Sequence, residues 1–451
     1  MKNNRSNGAE RKVSRNLYDF ESVLNTSSTV RRTSDRGGNS FRDAAAQRTS
    51  AKNVRNRRPD GHEKGRRLPA KKINHKPFAK GKGIDIPFLI IVLVLLTVGI
   101  VMMFSASYPI GFYEEGDSYY YLKKQAIFAA VGLVLMFFVS YINVNFFNKK
   151  WVAISLLAVS YLGLIVVLLV PSSTDIHRWI PLGAFTIQAS EITKLVMVFF
   201  FAYFCTKLGD DINSVKKGIL PTVIILATTC FLLYKEPHFS GIVITILLVA
   251  IMLFIGGLNT KWFAISGGAV AAAVAGLWIT GNLSYAMDRL HGWGKALDPN
   301  VSGDLLWDIW QTRNSLYAIG SGGFGGLGLT QSRQKYLYLP EPQNDFVFAI
   351  VCEELGFVGA VLILAVFALL VWRGMKISMS AQGVFAKLLG MGITAQVGLQ
   401  VILNIFVITD WLPNTGISLP FFSSGGSSLI MMLVQMGIVL AISRTSNLEK
   451  S

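Results

Sequence analysis

Runs of about twenty apolar residues with few or no charges recur along this chain, and nothing else in it narrows the fold as much. A helix of that length crosses the hydrocarbon of a bilayer, where the backbone must satisfy its own hydrogen bonds. Ten such segments begin near Ile86, Ala126, Trp151, Thr186, Lys217, Ser240, Trp262, Phe346, Phe385 and Phe421. Short runs of alternating polarity, the mark of a membrane barrel, are absent. The expected fold is therefore all-α, a polytopic membrane protein with ten transmembrane helices. The pattern divides the chain into a basic tail (1–83), a ten-helix body (84–445) and a short C-terminus (446–451). A large extracellular loop (281–345) joins helices 7 and 8.

Charge is unevenly spread. The net charge is +17, and residues 1–85 hold 22 Lys or Arg against 8 Asp or Glu. That tail is rich in Ser, Asn and Gly and lacks apolar periodicity, which reads as a disordered arm. Such an arm lies on anionic membrane lipids or docks to a partner. No aromatic or folded RNA-binding signature accompanies it, so nucleic acid is not an expected partner. The first apolar run starts too far into the chain, and is too long, for a cleaved signal peptide. Cys205, Cys230 and Cys352 fit neither a disulfide framework nor a zinc site and read as small apolar fillers.

Loop charge sets the orientation. With both termini cytoplasmic, the inner loops carry Lys149, Lys150, Lys207, Lys216, Lys217, Lys261, Arg373, Lys376 and Lys387. The outer loops then carry few cations, which follows the positive-inside rule. The outer segments hold most of the Gly, Pro and unusual polar residues: 174–188, 235–239, 281–345 and 410–420. Function is expected on that face.

Within those segments each chemical reading has a plainer alternative. Residues 302–323 carry helical spacing of Leu306, Trp310, Leu316 and Ile319, as an interfacial helix would. The run Gly320, Gly322, Gly323, Gly325, Gly326 and Gly328 either cradles a phosphate with backbone amides or makes a tight turn. Arg178, Arg289, Arg313, Arg333 and Lys335 either anchor to lipid headgroups or converge on an anionic group such as a pyrophosphate. Glu191 and Lys194 stand at i and i+3, on one helix face, as an intramembrane pair. Glu353, two turns below Asp345, could share a cavity with it, whereas Glu354 faces away toward neighbouring helices. Asp345 itself reads as a helix N-cap or as a base toward a sugar hydroxyl. The last outer loop, LPNTGISLPFFSSGGSS (412–428), holds broken backbone where only protein or a wet cavity tolerates it.

Four runs carry a resemblance: HRWIPLGAFTIQASEITKL (177–195), AIGSGGFGGLGL (318–329), YLPEPQNDFVFAIVCEELGFVG (338–359) and the 412–428 segment. In this order they resemble the SEDS family, the FtsW, RodA and SpoVE proteins of bacterial cell-wall synthesis. The resemblance implies a peptidoglycan glycosyltransferase of the cytoplasmic membrane that polymerises lipid II at its outer face, for division or cell shape. An acceptor sugar hydroxyl on one substrate displaces undecaprenyl pyrophosphate from a nascent glycan strand, with inversion. The family's essential loop aspartate falls on Asp345, as general base. The implied substrate-binding residues are Arg178, Glu191, Lys194, Arg289, Lys335, Glu341, Ser423 and Ser427. A divalent cation, Mg2+ or Mn2+, is an alternative source of positive charge for the pyrophosphate, and a class B penicillin-binding protein is the implied partner.

The chain departs from the family pattern at four places. His238 follows Pro237 where the family has Asp, Ala189 stands for a Pro, Asp410 for a Gly and Ser424 for a Tyr. Two other functions fit the same physics: a lipid II flippase, and a non-catalytic scaffold for a penicillin-binding protein. The inner loops are short and motif-poor, and that asymmetry favours an enzyme over a flippase.

Overall fold

Caps and breaks in the sequence decide where each helix starts and stops. A computed structural model describes residues 83–170, 178–182, 185–279 and 292–446. The tail before Gly83, residues 447–451 and the loop segment containing Arg289 lie outside the described residues. Helix α1 (Ile86–Glu115) opens on Asp85, whose carboxylate accepts from the Phe88 amide at 3.0 Å, with a proline in its first turn. It closes on Gly116, which takes the left-handed conformation. Helices α2 (Tyr120–Ser140) and α3 (Lys150–Leu169) follow.

The fourth apolar segment does not begin as a helix. Trp179–Leu182 (β1) and Phe185–Gln188 (β2) pair antiparallel, with Trp179 opposite Gln188, and α4 starts only at Ala189 and runs to Leu208. This hairpin is the one departure from all-α among the described residues. Next come α5 (Leu220–Lys235), α6 (Phe239–Ile255), α7 (Thr260–Ile279), α8 (Asp304–Gly322), α9 (Val347–Met379), α10 (Val384–Ile408) and α11 (Gly426–Thr445). Helix α11 begins five residues later than the apolar run suggests. Phe421, at the start of that run, has a left-handed φ of 67°, which cannot continue a helix.

Each of the ten apolar segments thus coincides with a helix. Among the described residues, eight helices are long and apolar enough to cross a membrane. Helices α6, at 17 residues, and α7 occupy the other two segments. Large apolar side chains such as Phe138, Trp151, Leu169, Phe357 and Trp372 point outward, as expected where lipid is the solvent. Helices α10 and α11 are 61% and 72% buried, against 22% for α2 and α5, so the former pair forms the centre of the bundle. This is a multi-pass membrane protein.

The glycine run neither cradles a phosphate nor makes a simple turn. Helix α9 breaks at Gly356 (φ 65°, ψ −170°), which frees backbone groups on both sides of the break. The glycine segment fills them. Leu327 and Gly328 amides donate to the Glu353 and Glu354 carbonyls at 2.9 and 3.0 Å, and the Phe357 amide donates to Gly323 at 2.8 Å. Only glycine permits the approach, since a Cβ on Gly326 would sit 2.2 Å from the Glu354 carbonyl oxygen.

The carboxylates beneath this clasp are also committed. Glu353 accepts from the Ser332 hydroxyl and from the Arg333 and Gln334 amides. It therefore belongs to the 332–334 loop and not to a cavity shared with Asp345. Glu354 pairs with Lys335 at 2.8 Å, and the Ser105 hydroxyl of α1 donates to it at 2.7 Å. Lys335, expected to bind substrate, is 1% exposed and does not line the cavity described below. Its ammonium is sealed between α1 and α9, where moving it would strand a buried carboxylate.

At the far end of the bundle, Arg373 grips Asp85 with two nitrogens, at 3.1 and 2.9 Å. The Asp85 amide reaches the Ser443 hydroxyl at 3.0 Å. Helices α1, α9 and α11 are joined there.

Candidate active site

Four irregular segments meet at the other end, and the sequence explains why each is irregular. The strands β1 and β2 arise where Trp179, Ile180, Thr186 and Ile187 favour extended backbone. The α5–α6 junction turns at Pro237. The 338–346 segment holds two prolines and enters α9, and the 409–425 segment holds Pro413, Gly416 and Pro420.

Polar side chains missed by motif reading hold these segments in register. Asn404, buried on α10, donates both to the Asp345 carbonyl at 2.8 Å and to the Ile417 carbonyl at 2.6 Å. The Ser424 amide donates to the Gln343 carbonyl at 2.7 Å. Helix α8 braces the same loops: Trp310 Nε1 donates to the Tyr338 carbonyl, Gln311 Nε2 to that of Pro340, and Asn414 to the Gln311 side chain. An isolated Asn in an apolar helix was the available signal, because such a group is costly in a membrane without partners. Arg313 serves structure as well, donating to the carbonyls of Ala296 and Asp298.

These segments enclose a cavity of about 250 Å³. Arg178, Glu191, Lys194, Glu341, Asp345 and Ser423 all line it, together with His238, Gln400 and Gly416. The candidates from four distant stretches of sequence are therefore brought together. Arg289 lies outside the described residues. Ser427 is not in the lining: its hydroxyl accepts from the Gln188 amide at 3.2 Å, pinning the hairpin to α11. Ser423 lines the cavity while its hydroxyl accepts from the Leu419 amide at 2.7 Å.

Asp345 does not cap α9. Phe346 occupies the N-cap position and Val347 starts the helix. The Asp345 carboxylate instead lies against Gly416, where a Cβ would stand 2.9 Å from Oδ2. Glu341, exposed and with φ 46°, receives the Asn344 side-chain amide at 2.7 Å. Lys194 and Glu191 form a buried pair at 2.7 Å, consistent with their spacing.

Two buried groups at the α5–α6 junction are electrically unusual. Burial drives the Glu236 carboxyl up to about 8, although the nearby Arg178 opposes this. Burial likewise drives the His238 imidazole down to about 3, and the charges of Arg178 and Lys194 push it the same way. His238 Nδ1 and Gln400 Oε1, both on cavity-lining residues, are buried without a hydrogen-bond partner. Buried polar atoms of that kind ask for an explanation.

Among the described residues, no three His, Cys, Asp or Glu side chains gather closely enough to hold a metal ion by themselves. The donors that line the cavity would suit only a hard cation that takes one or two carboxylates and completes its shell from substrate phosphate.

Comparison with known proteins gives a consistent outcome. The "Cell cycle protein" family model covering FtsW, RodA and SpoVE matches residues 87–448. Stage V sporulation protein E of Bacillus subtilis is 38% identical over 367 residues, spanning 80% of this chain and 97% of that one. A probable peptidoglycan glycosyltransferase FtsW of Trichlorobacter lovleyi is 36% identical over 375 residues, 82% of this chain and 96% of that one. Among solved structures, a chain from a study of coordinated polymerization and crosslinking by a peptidoglycan synthase complex superposes with a TM-score of 0.65. It is 24% identical and covers 81% of this chain and 99% of its own. The rod shape determining protein RodA of Thermus thermophilus gives a TM-score of 0.57 at 23% identity, over 81% of this chain and 98% of that one.

Proposed function

The chain belongs to the FtsW, RodA and SpoVE family of cell-wall proteins, and from that premise we propose that it polymerises lipid II with Asp345 as general base. The observation that supports this reading most is the shared cavity. The Asp345 carboxylate lines the same space as Arg178 and Lys194. A sugar hydroxyl is a weak nucleophile, and a carboxylate that takes its proton as the new bond forms lowers the barrier.

The acceptor hydroxyl attacks the anomeric carbon of the growing strand, the glycosidic bond forms, and undecaprenyl pyrophosphate leaves with the bonding electrons. One displacement inverts the centre, so no covalent enzyme intermediate is needed. Arg178 and Lys194 stabilise the charge that grows on the leaving group. Glu191 holds Lys194 in position by their buried pair. A divalent cation, where used, would draw on Asp345 or Glu341 and supply further charge stabilisation.

In this reading both termini are cytoplasmic and the cavity faces outward, where lipid II is consumed. A class B penicillin-binding protein that cross-links the product is the proposed partner.

Purified protein with that partner, given lipid II, tests the assignment through Asp345→Asn. Asparagine keeps the size and the polar contacts but takes no proton. Polymerisation is expected to fall by about 10² to 10⁴ while helical content and partner binding persist. Polymer at the wild-type rate would remove Asp345 from the chemistry, and no polymer from either protein would favour a flippase or scaffold.

A further inference from the structure

The α5–α6 junction has the parts of an anion site. Helix α6 (17 residues) starts at Phe239, and Ser240 and Gly241 of its first turn line the cavity. A helix start presents amide donors and partial positive charge. Its N-cap residue, His238, makes no side-chain capping bond. The imidazole is instead folded over the first turn, so that a Cβ on Gly241 would stand 2.9 Å from Nδ1. It is 7% exposed, it lines the cavity, and its Nδ1 has no hydrogen-bond partner. Arg178 reaches the same junction through the Glu236 and Pro237 carbonyls. Lys194, paired with Glu191, lines the cavity beside it.

We propose that His238, Arg178, Lys194 and the N-terminal turn of α6 bind the pyrophosphate of the lipid-linked substrate, with the imidazole as a direct hydrogen-bond donor to a phosphate oxygen. The identity of the anion rests on the glycosyltransferase reading above.

The chemistry suits a group that is absent until substrate arrives. Burial, reinforced by the charges of Arg178 and Lys194, holds the imidazole neutral in the free protein, so it adds no charge repulsion to the wall. A neutral imidazole still offers one N–H. A pyrophosphate cancels the field of the two cations and supplies the acceptor that the ring lacks. Asp345 and Glu341 reach the cavity from a different segment, the 338–346 loop, so the proton-accepting and anion-binding functions are carried by separate elements.

Inorganic pyrophosphate binding, measured by equilibrium dialysis on full-length protein in phosphatidylcholine nanodiscs, reads this site without turnover. It therefore stands or fails separately from polymerisation. The wild type is expected to bind, and His238→Leu, which has no donor and adds no charge, to bind at least about tenfold more weakly, the loss of one charge-assisted contact. His238→Gln, which retains an N–H donor, is expected to stay within about threefold of the wild type. Gly241→Ala keeps the imidazole but displaces it, and is expected to weaken binding between these limits. Elution volume and helical circular dichroism identify folded variants. The proposal is overturned by a wild type that does not bind, by His238→Leu binding as the wild type does, or by His238→Gln as weak as His238→Leu. It is equally overturned if phosphatidylglycerol in the nanodisc displaces pyrophosphate, since the site would then serve lipid headgroups.

Discussion

Gly416→Ala probes the position of the Asp345 carboxylate without touching its chemistry. The new Cβ would lie 2.9 Å from Oδ2, and ordinary contact begins near 3.4 Å, so the carboxylate must retreat by about 0.5 Å. A misplacement of about 1 Å at a reacting group costs about a hundredfold in rate. Half that distance predicts about a tenfold loss, or roughly 1.4 kcal/mol of barrier. Gly416 also has φ 68°, and alanine in that conformation costs about 1 kcal/mol of stability. Gly116→Ala separates the two effects. Its φ is 69° and no atom lies within 4 Å of the Cβ it would gain, so it bears the backbone cost alone. Lipid II polymerisation by each variant with its penicillin-binding partner, at matched folded concentration, is the assay. Gly416→Ala is expected near one-tenth of the wild-type rate and Gly116→Ala near the wild type. Equal rates for the two variants would refute the reasoning, because the Asp345 position would then have no bearing on catalysis.

Lys335→Met strands Glu354 in a dry setting and is expected to destabilise the protein by about 3–5 kcal/mol. Thermal unfolding in detergent reads this, and adding Glu354→Leu should recover much of it. Asp410 gives a pH-dependent outcome. Burial raises its carboxyl above the ordinary range, against hydrogen bonds from the Gly294 and Ala296 amides. A raised folded value means that the fold favours the protonated form. Its stabilising contribution is full below the unfolded value and is lost as pH rises through the folded one. Asp410→Asn, which stays neutral, is therefore expected to raise the unfolding temperature at neutral pH and to have no effect below the carboxylate range. Solvent screening limits the gain to less than about 1 kcal/mol.

Much of the fold was legible because hydrophobic run length is a local property. The starts of α1, α3 and α10 could be read closely from the chain. The start of α4 could not, because the apolar run reaches back into residues 185–188 and only their antiparallel pairing with 179–182 makes them a strand. The break at Gly356 was hidden for a similar reason: Glu353, Glu354 and the glycine run are each ambiguous until they are seen against one another. Asp345, Glu191 and Lys194 could be singled out because charge in an apolar stretch is conspicuous. The setting of Lys335 is not legible, because charge alone does not reveal the partner and Ser105, which completes its site, lies 230 positions away. Asn404 and His238 were underweighted for the same reason. Each matters only through contacts made across the bundle.

The several carboxylates near one end of the bundle can be told apart by what each already holds. Glu353 is occupied by a hydroxyl and two amides, and Glu354 by an ammonium and a hydroxyl. Those contacts commit both side chains to neighbouring segments, and neither lines the cavity. Glu191 lines the cavity but is paired with Lys194. Glu353 and Glu354 tie α9 to the 332–335 segment and to α1. Glu341 and Asp345 reach the cavity from a loop, and their surroundings differ: Glu341 is exposed and tied to Asn344, whereas Asp345 is half-buried, with its backbone fixed by Asn404. A proton acceptor must be oriented to within a fraction of an ångström. Of the two, Asp345 is the one whose backbone is anchored from the centre of the bundle, which is why it, and not Glu341, is proposed as the base.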